Sequence, residues 1–230
     1  MPPCIRRATL LSTVAAAACT MLVTSANAVQ AQIGRRGGYR VPAGPDYWVG
    51  LSYGYQNGTT IHDGATDQEW QFGYTSQIRA TLEKTLQPGV SLGVSASFSS
   101  APLTFTTPTP TPSSDSCGLQ CSATGDITQY MAFVHGGTGT IGFHGIYDLE
   151  GGVTQFSNFR AKADDSRIGD TSAKSDFSFG LGGGVGYNVS RDAELYVTEM
   201  FDFVMHAQGN NTSSSAPRLS TFRAGARIGF

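Results

Sequence analysis

The sequence predicts an all-β fold: a closed antiparallel barrel of about eight strands that crosses a membrane, preceded by a cleaved signal peptide. Three observations predict it. Apolar residues recur at every second position through most of the chain after residue 46, the period at which strand side chains share a face. The segments so marked are joined alternately by long polar stretches and by tight turns, the asymmetry of barrels that span lipid. The last nine residues, Phe222-Arg223-Ala224-Gly225-Ala226-Arg227-Ile228-Gly229-Phe230, show one oily face and one of glycine and arginine, as a strand between lipid and a polar lumen requires.

Arg6 and Arg7 precede an apolar run from Ala8 to Val23 and a small-residue site at Ala26-Asn27-Ala28, the parts of a secretory signal. Residues 1–28 are therefore set aside from the fold. The run is too short and too alanine-rich for a membrane anchor, and Ala16 stands where a lipoprotein site at Cys19 takes a larger aliphatic residue. Residues 29–45, with Arg35, Arg36 and Arg40 and no apolar period, read as a flexible periplasmic leader, and residues 46–230 as the barrel. Loss of Arg6 and Arg7 leaves 13 basic against 17 acidic residues and takes the formal charge from −2 to −4. Such mild acidity offers nucleic acid no footprint. After residue 28 nothing approaches the ~20 apolar residues of a membrane helix, so any crossing is made by strands.

Cys117 and Cys121 remain after processing, in a Pro/Thr/Ser-rich stretch. An exported chain meets oxidising conditions, so a local disulfide between them is expected. A metal site would need a closer spacing and a second Cys or His cluster. His62, His135, His144 and His206 are scattered, and no metal or cofactor is expected.

The elements follow in order. Tyr47, Val49, Leu51, Tyr53 and Tyr55 alternate with Trp48, Gly50, Ser52 and Gly54, a first strand; Asn57 to Asp67 read as a polar loop. The second strand puts Trp70, Phe72, Tyr74, Ile78, Ala80 and Leu82 on the lipid face and Gln71, Thr75, Gln77, Arg79 and Glu83 inside. Ile78, Leu82 and Leu86 also fit a helix, but the period of two running from Trp70 favours a strand. Gln87-Pro88-Gly89 is a tight turn, after which Val90, Leu92, Val94, Ala96 and Phe98 form the third strand against glycine and serines.

Ala101 to Asp126 read as a long loop. A fourth strand with blurred alternation spans Ile127 to His135, and a fifth places Ile141, Phe143, Tyr147 and Leu149 on one face. Between them, Gly137-x-Gly139-x-x-Gly142 matches the dinucleotide fingerprint by letters, yet it joins two strands and precedes no helix, so it reads as a hairpin turn. A charged loop covers Ser157 to Ser175. The sixth strand sets Phe177, Phe179, Leu181, Val185 and Tyr187 against Ser178 and Gly180, Gly182, Gly184 and Gly186, and Val189 to Asp192 turn. The seventh has Leu195, Val197, Phe201, Phe203 and Met205 opposite Glu194, Thr198 and Asp202. Glu199 falls on its oily side, explained either by a β-bulge or by a position at headgroup level. A polar loop, His206 to Ser220, leads to the terminal strand.

In this layout the chain resembles the bacterial outer-membrane β-barrel family, in particular the OmpA-like and OmpX-like membrane barrels, over about residues 46–230. The specific motif is the terminal strand with Phe222, Ile228 and Phe230. The resemblance implies that this strand is the signal read by the barrel-assembly machinery, that both termini face the periplasm, and that outer-membrane lipid and lipopolysaccharide surround the wall. It implies roles in envelope integrity, surface interaction through the loops, or minor permeability. No peptidoglycan-binding domain follows the barrel, so tethering by that route is not expected.

An interior ringed by about eight strands is nearly filled by side chains. Parity places Arg79, Glu83, Glu194, Asp202, Arg223 and Arg227 there, and buried charges must be paired. A structural ion-pair network is expected, with a proton or ion path as its alternative. Trp70, Phe72, Tyr74, Phe98, Phe177 and Tyr187, with Phe222 and Phe230, are expected in aromatic girdles. The expected function is structural and interactive, not enzymatic, exercised through outer loops that meet an extracellular ligand. A narrow pore for ions or small solutes is the second reading. The third is a lipid-modifying enzyme, for which His206, Ser213 to Ser215 and Glu199 offer no nucleophile–base spacing.

Overall fold

The computed structural model describes residues 44–63, 67–107, 119–137, 142–168, 174–206 and 217–230. They carry ten antiparallel strands: β1 (Tyr47–Gln56), β2 (Thr59–Asp63), β3 (Gln68–Phe72), β4 (Thr75–Gln87), β5 (Val90–Thr106), β6 (Gln120–Gly136), β7 (Gly142–Ala161), β8 (Lys174–Ser190), β9 (Ala193–Met205) and β10 (Arg218–Gly229). Eight of them close a ring. β1 lies between β4 and β10, pairing continues from β10 back to β6, and β5 joins β6 to complete the cylinder. The closing register runs from Trp48↔Gly229 to Gln56↔Thr221, and Tyr47 and Phe230 exchange backbone hydrogen bonds of 3.1 and 2.9 Å. A ring closed this way leaves its strands no free hydrogen-bonding edge.

The period of two decides which side faces what. On β1, Val49, Leu51 and Tyr53 are exposed while Ser52 and Gln56 are buried; on β8, Phe177, Leu181 and Val185 are exposed and Ser178 is buried. A continuous apolar wall is stable only against lipid. Among the described residues no helix is long and apolar enough to cross a membrane; the strands supply the crossing. At one end they turn tightly, with Gly89 at φ 88° between β4 and β5 and Gly137 at φ 100° after β6, backbone settings that favour glycine.

At the other end the strands outlast the predicted ones. β5 continues to Thr106, β6 starts at Gln120, β7 reaches Ala161 and β8 starts at Lys174. Beyond the lipid band the outward positions turn polar, so the hydropathy alternation fades while the backbone stays extended. The segment read as the loop Asn57 to Asp67 contains β2 and the segment before β4 contains β3, a hairpin whose second strand continues the wall beside β5, from Glu69↔Thr106 to Phe72↔Leu103.

That hairpin corrects the girdle. Trp70 and Phe72 are 0% and 3% exposed and face inward. The alternation slips by one residue at Gly73-Tyr74, where the Gly73 N–H donates to the Pro102 carbonyl at 2.7 Å; before the slip the even positions point in, after it the odd ones do. Trp70 and Phe72 join Ile61, Phe105, Ile127, Phe156, Phe159 and Leu219 in an apolar core inside this end of the barrel. Tyr74, Phe98, Phe177, Tyr187, Phe222 and Phe230 are exposed on the outer wall. Residues 1–28, most of the 29–45 leader, Cys117 and Ser213 to Ser215 lie outside the described residues; Cys121, at the start of β6, is disulfide-bonded.

Candidate functional site: a filled lumen

Inward positions four apart on one strand share a face, so β4 delivers Arg79 and Glu83, β10 delivers Arg223 and Arg227, and β9 delivers Glu194, Thr198 and Asp202. At the tight-turn end Arg227 lies between two acids, with Nη1 2.8 Å from Glu83 Oε2 and Nη2 2.6 Å from Glu194 Oε2. Its guanidinium also covers the Trp48 ring at 4.7 Å. The Ser91 hydroxyl donates to Glu83 at 2.5 Å, and His144 Nε2 is 3.5 Å from Glu194.

One layer further in, Arg79 meets Glu150 at 2.6 Å and stands over the Phe133 ring at 5.2 Å. Arg223 donates from Nε to Gln77 Oε1 at 3.2 Å and lies 3.9 Å from Asp202. Above these pairs is an amide belt. Gln77 donates to Gln129 at 3.0 Å, Gln129 donates to Asp202 at 3.2 Å, and Ser97 and Ser99 donate to Gln129 and Gln56, each at 3.1 Å. All six predicted interior charges therefore face the lumen and are buried.

Glu150, Asp148, His135 and His144 belong to the same interior and were not singled out from sequence. His135 Nδ1 is 2.6 Å from Asp148. Their signal was available in parity, since Asp148 and Glu150 flank the outward Leu149. The space among Ser52, Arg79, His135, Tyr196 and Arg223 has a volume of about 20 Å³, room for roughly one water. Above the amide belt the apolar core around Trp70 and Phe156 fills the barrel.

Against solved structures the chain is similar to Neisserial surface protein A (TM-score 0.52, 10% identity, covering 82% of this chain and 99% of that one). It is also similar to OprG of Pseudomonas aeruginosa (TM-score 0.48, 10% identity, 81% and 96% covered) and to the N-terminal barrel domain of OprF from the same organism (TM-score 0.41, 10% identity, 81% and 100% covered). No protein-family model matches the chain, and no curated protein does. The chain has the fold of a small outer-membrane β-barrel.

In this barrel the end opposite the tight turns holds a second polar cluster. The Asp63 carboxylate of β2 accepts from Lys174 of β8 and lies 3.8 Å from His206 Nε2, whose Nδ1 is 2.6 Å from Asp176. Lys174 sits over the Trp70 ring at 5.1 Å, and His206 meets its edge at 5.4 Å. The cluster ties the β2–β3 hairpin to β8 and to the end of β9. It also separates the residues weighed for lipid chemistry: His206 is buried inside, whereas Glu199 lies exposed on the outer wall, where the Ser220 hydroxyl donates to it at 3.3 Å. No group of three or more His, Cys, Asp or Glu suited to a metal ion occurs among the described residues.

Proposed function

We propose that this barrel sits in the outer membrane as a non-conducting scaffold whose work is done at the end opposite the tight turns. In this reading the long connections and the β2–β3 hairpin face outward, both termini face the periplasm, and the strand ending in Phe222, Ile228 and Phe230 is what the assembly machinery reads. The observation that supports a scaffold over a channel is the layering of the lumen: ion pairs, then an amide belt, then an apolar core, with about 20 Å³ of space beside the arginines. Hydrated ions have no route through an apolar core without desolvation.

The deciding experiment is planar-bilayer recording of refolded protein. The scaffold reading expects no conductance steps above background at moderate voltage. The charge-lined half of the lumen favours the second reading, a narrow pore, and reproducible steps abolished by Arg223→Ala would establish that reading instead. Mass spectrometry of lipid A from cells with and without the protein tests the enzymatic reading, and the scaffold expects an unchanged acyl pattern.

A further inference from the structure

The parity slip at Gly73 has an outside as well as an inside. Where it swings Trp70 and Phe72 into the lumen, it leaves a recess of about 570 Å³ on the outer wall, within the ~300–1,000 Å³ range of small-ligand sites. Four residues cross the recess in one cross-strand row, Thr60↔Gln71↔Thr104↔Ser122, and all four point outward, because their strand neighbours Ile61, Trp70, Leu103 and Ala123 are buried. Adjacent members of such a row are about 4.8 Å apart. Lys162, which closes the row through its N–H to the Ser122 carbonyl at 2.9 Å, is exposed and has no carboxylate partner among the described residues. Tyr74 stands at the foot of the recess, stacked on Tyr55 at 5.7 Å.

We infer that this recess binds the phosphorylated saccharide headgroup of a glycolipid in the leaflet surrounding the barrel. Hydroxyl and amide groups in a regular row suit a string of sugar hydroxyls, an aromatic ring suits the apolar face of a sugar, and an unpaired ammonium suits a phosphate. Position selects a membrane-borne ligand over a free one. The recess is continuous with the lipid-facing wall: on β5 the outward side changes from Val94 and Phe98 to Ser100, Thr104 and Thr106, and on β6 from Tyr130 to Thr128, Asp126, Thr124 and Ser122, with Asp126 accepting from the Asn158 side-chain amide at 2.9 Å. A lipid seated against Phe98 and Tyr130 therefore carries its headgroup to Tyr74 and Lys162. This inference rests on the proposed orientation, with the β2–β3 end outward.

The test is equilibrium binding of the refolded full chain to lipopolysaccharide, to the delipidated phosphorylated core oligosaccharide, and to phosphatidylglycerol vesicles. Variants are Lys162→Gln, the pair Thr104→Val with Ser122→Ala, and Arg218→Gln, which removes a cation from the same end beyond the recess. Each must keep heat-modifiable migration, which reads barrel insertion independently of ligand. Lipopolysaccharide is expected to bind most tightly. Lys162→Gln should weaken it by about tenfold, as loss of a charge-assisted hydrogen bond does, and Thr104→Val with Ser122→Ala by about fivefold on the same scale, with Arg218→Gln unchanged. Folded recess variants that bind like wild type, an equal loss in Arg218→Gln, or free oligosaccharide binding as tightly as the glycolipid would each overturn the inference.

Discussion

Arg227 and Glu194 meet through two nitrogens on one carboxylate oxygen: Nε at 3.1 Å and Nη2 at 2.6 Å from Oε2. The remaining Nη1 takes Glu83 of β4, so a single side chain from β10 ties together acids from strands on either side of β1 and β10, across the seam where the first and last ring strands pair. Both partners are almost fully buried, and removal of one member of such a set leaves uncompensated charge. Arg227→Ala is expected to cost about 3–5 kcal/mol, read by urea unfolding from lipid vesicles. Arg227→Met combined with Glu83→Gln and Glu194→Gln should recover most of that loss, because the charges then leave together.

The sequence alone explains Glu199 either by a bulge or by a headgroup-level position. The bulge is excluded by continuous register, Glu199↔Phe222 on one side and Glu199↔Gly183 on the other. The residue lies midway along β9, among Val197 and Phe201, on a wall that faces lipid. An acid at such depth is destabilising, by less than the ~2–4 kcal/mol of a midplane Lys or Arg. Glu199→Leu should therefore stabilise the barrel by about 1 kcal/mol on that scale; a lower urea midpoint for the variant would show that Glu199 does more on this wall than face lipid.

Most of the ring was legible because one physical rule governs it: lipid outside and a polar interior inside make hydropathy alternate with the backbone. By this rule Arg79, Glu83, Asp202 and Arg223 fall on the inward side, and all four are buried. It stops applying where lipid stops. From Ala101 to Thr106 and from Gln120 to Asp126 the outward face lies beyond the apolar wall and is polar, so these strand ends read as loop. In the β2–β3 hairpin the rule inverts, since an apolar core fills the lumen there and polar residues face out. Trp70 and Phe72 then look lipid-facing by composition and are interior by geometry. Only the slip at Gly73-Tyr74 records the reversal, and a glycine beside an aromatic residue is too common to read as a one-residue shift. Glu150 differs: Tyr147 and Leu149 on the outward face set its parity, but the glycines Gly145, Gly151 and Gly152 around it draw no attention to an inward charge.

Gly184 on β8 has no room for a side chain. A Cβ there would stand 2.7 Å from Thr198 Cα and 2.8 Å from the Val197 carbonyl carbon, and those atoms belong to the β9 backbone held by the β8–β9 register. The strands would have to part. Gly184→Ala should lose about 1–3 kcal/mol, the range of overpacking, with a lowered unfolding midpoint in vesicles and retained heat-modifiability.

Trp70 is the largest of the fully buried side chains and packs on Phe159 at 5.0 Å and Phe156 at 6.2 Å. Truncation to alanine should cost about 3–5 kcal/mol, as for other buried aromatics. It also removes the part of the apolar core that lies over the amide belt. Trp70→Ala with Phe156→Ala is therefore expected to show small conductance steps that wild type lacks. Silence from the folded double variant would locate the block to ions lower down, at the arginine layer.

Among the described residues the β2 strand pairs through its backbone with β3 alone, so its attachment to the far side of the barrel depends there on side chains. Asp63 provides the charged part, through Lys174 and beside His206, and Ile61 the apolar part. Segments held by few contacts open locally at a free energy below that of global unfolding. In Asp63→Asn the neutral amide no longer attracts Lys174 as an ion, and the hairpin should open more readily while the ring below keeps its ion pairs. Hydrogen exchange is expected to quicken at the amides of Thr59 to Asp63 by about tenfold or more, the equivalent of roughly 1.5–3 kcal/mol for a hydrogen bond to a charged group, with β9 and β10 unchanged. Exchange that accelerates equally in β10 would mean the cluster supports the whole barrel and not the hairpin alone.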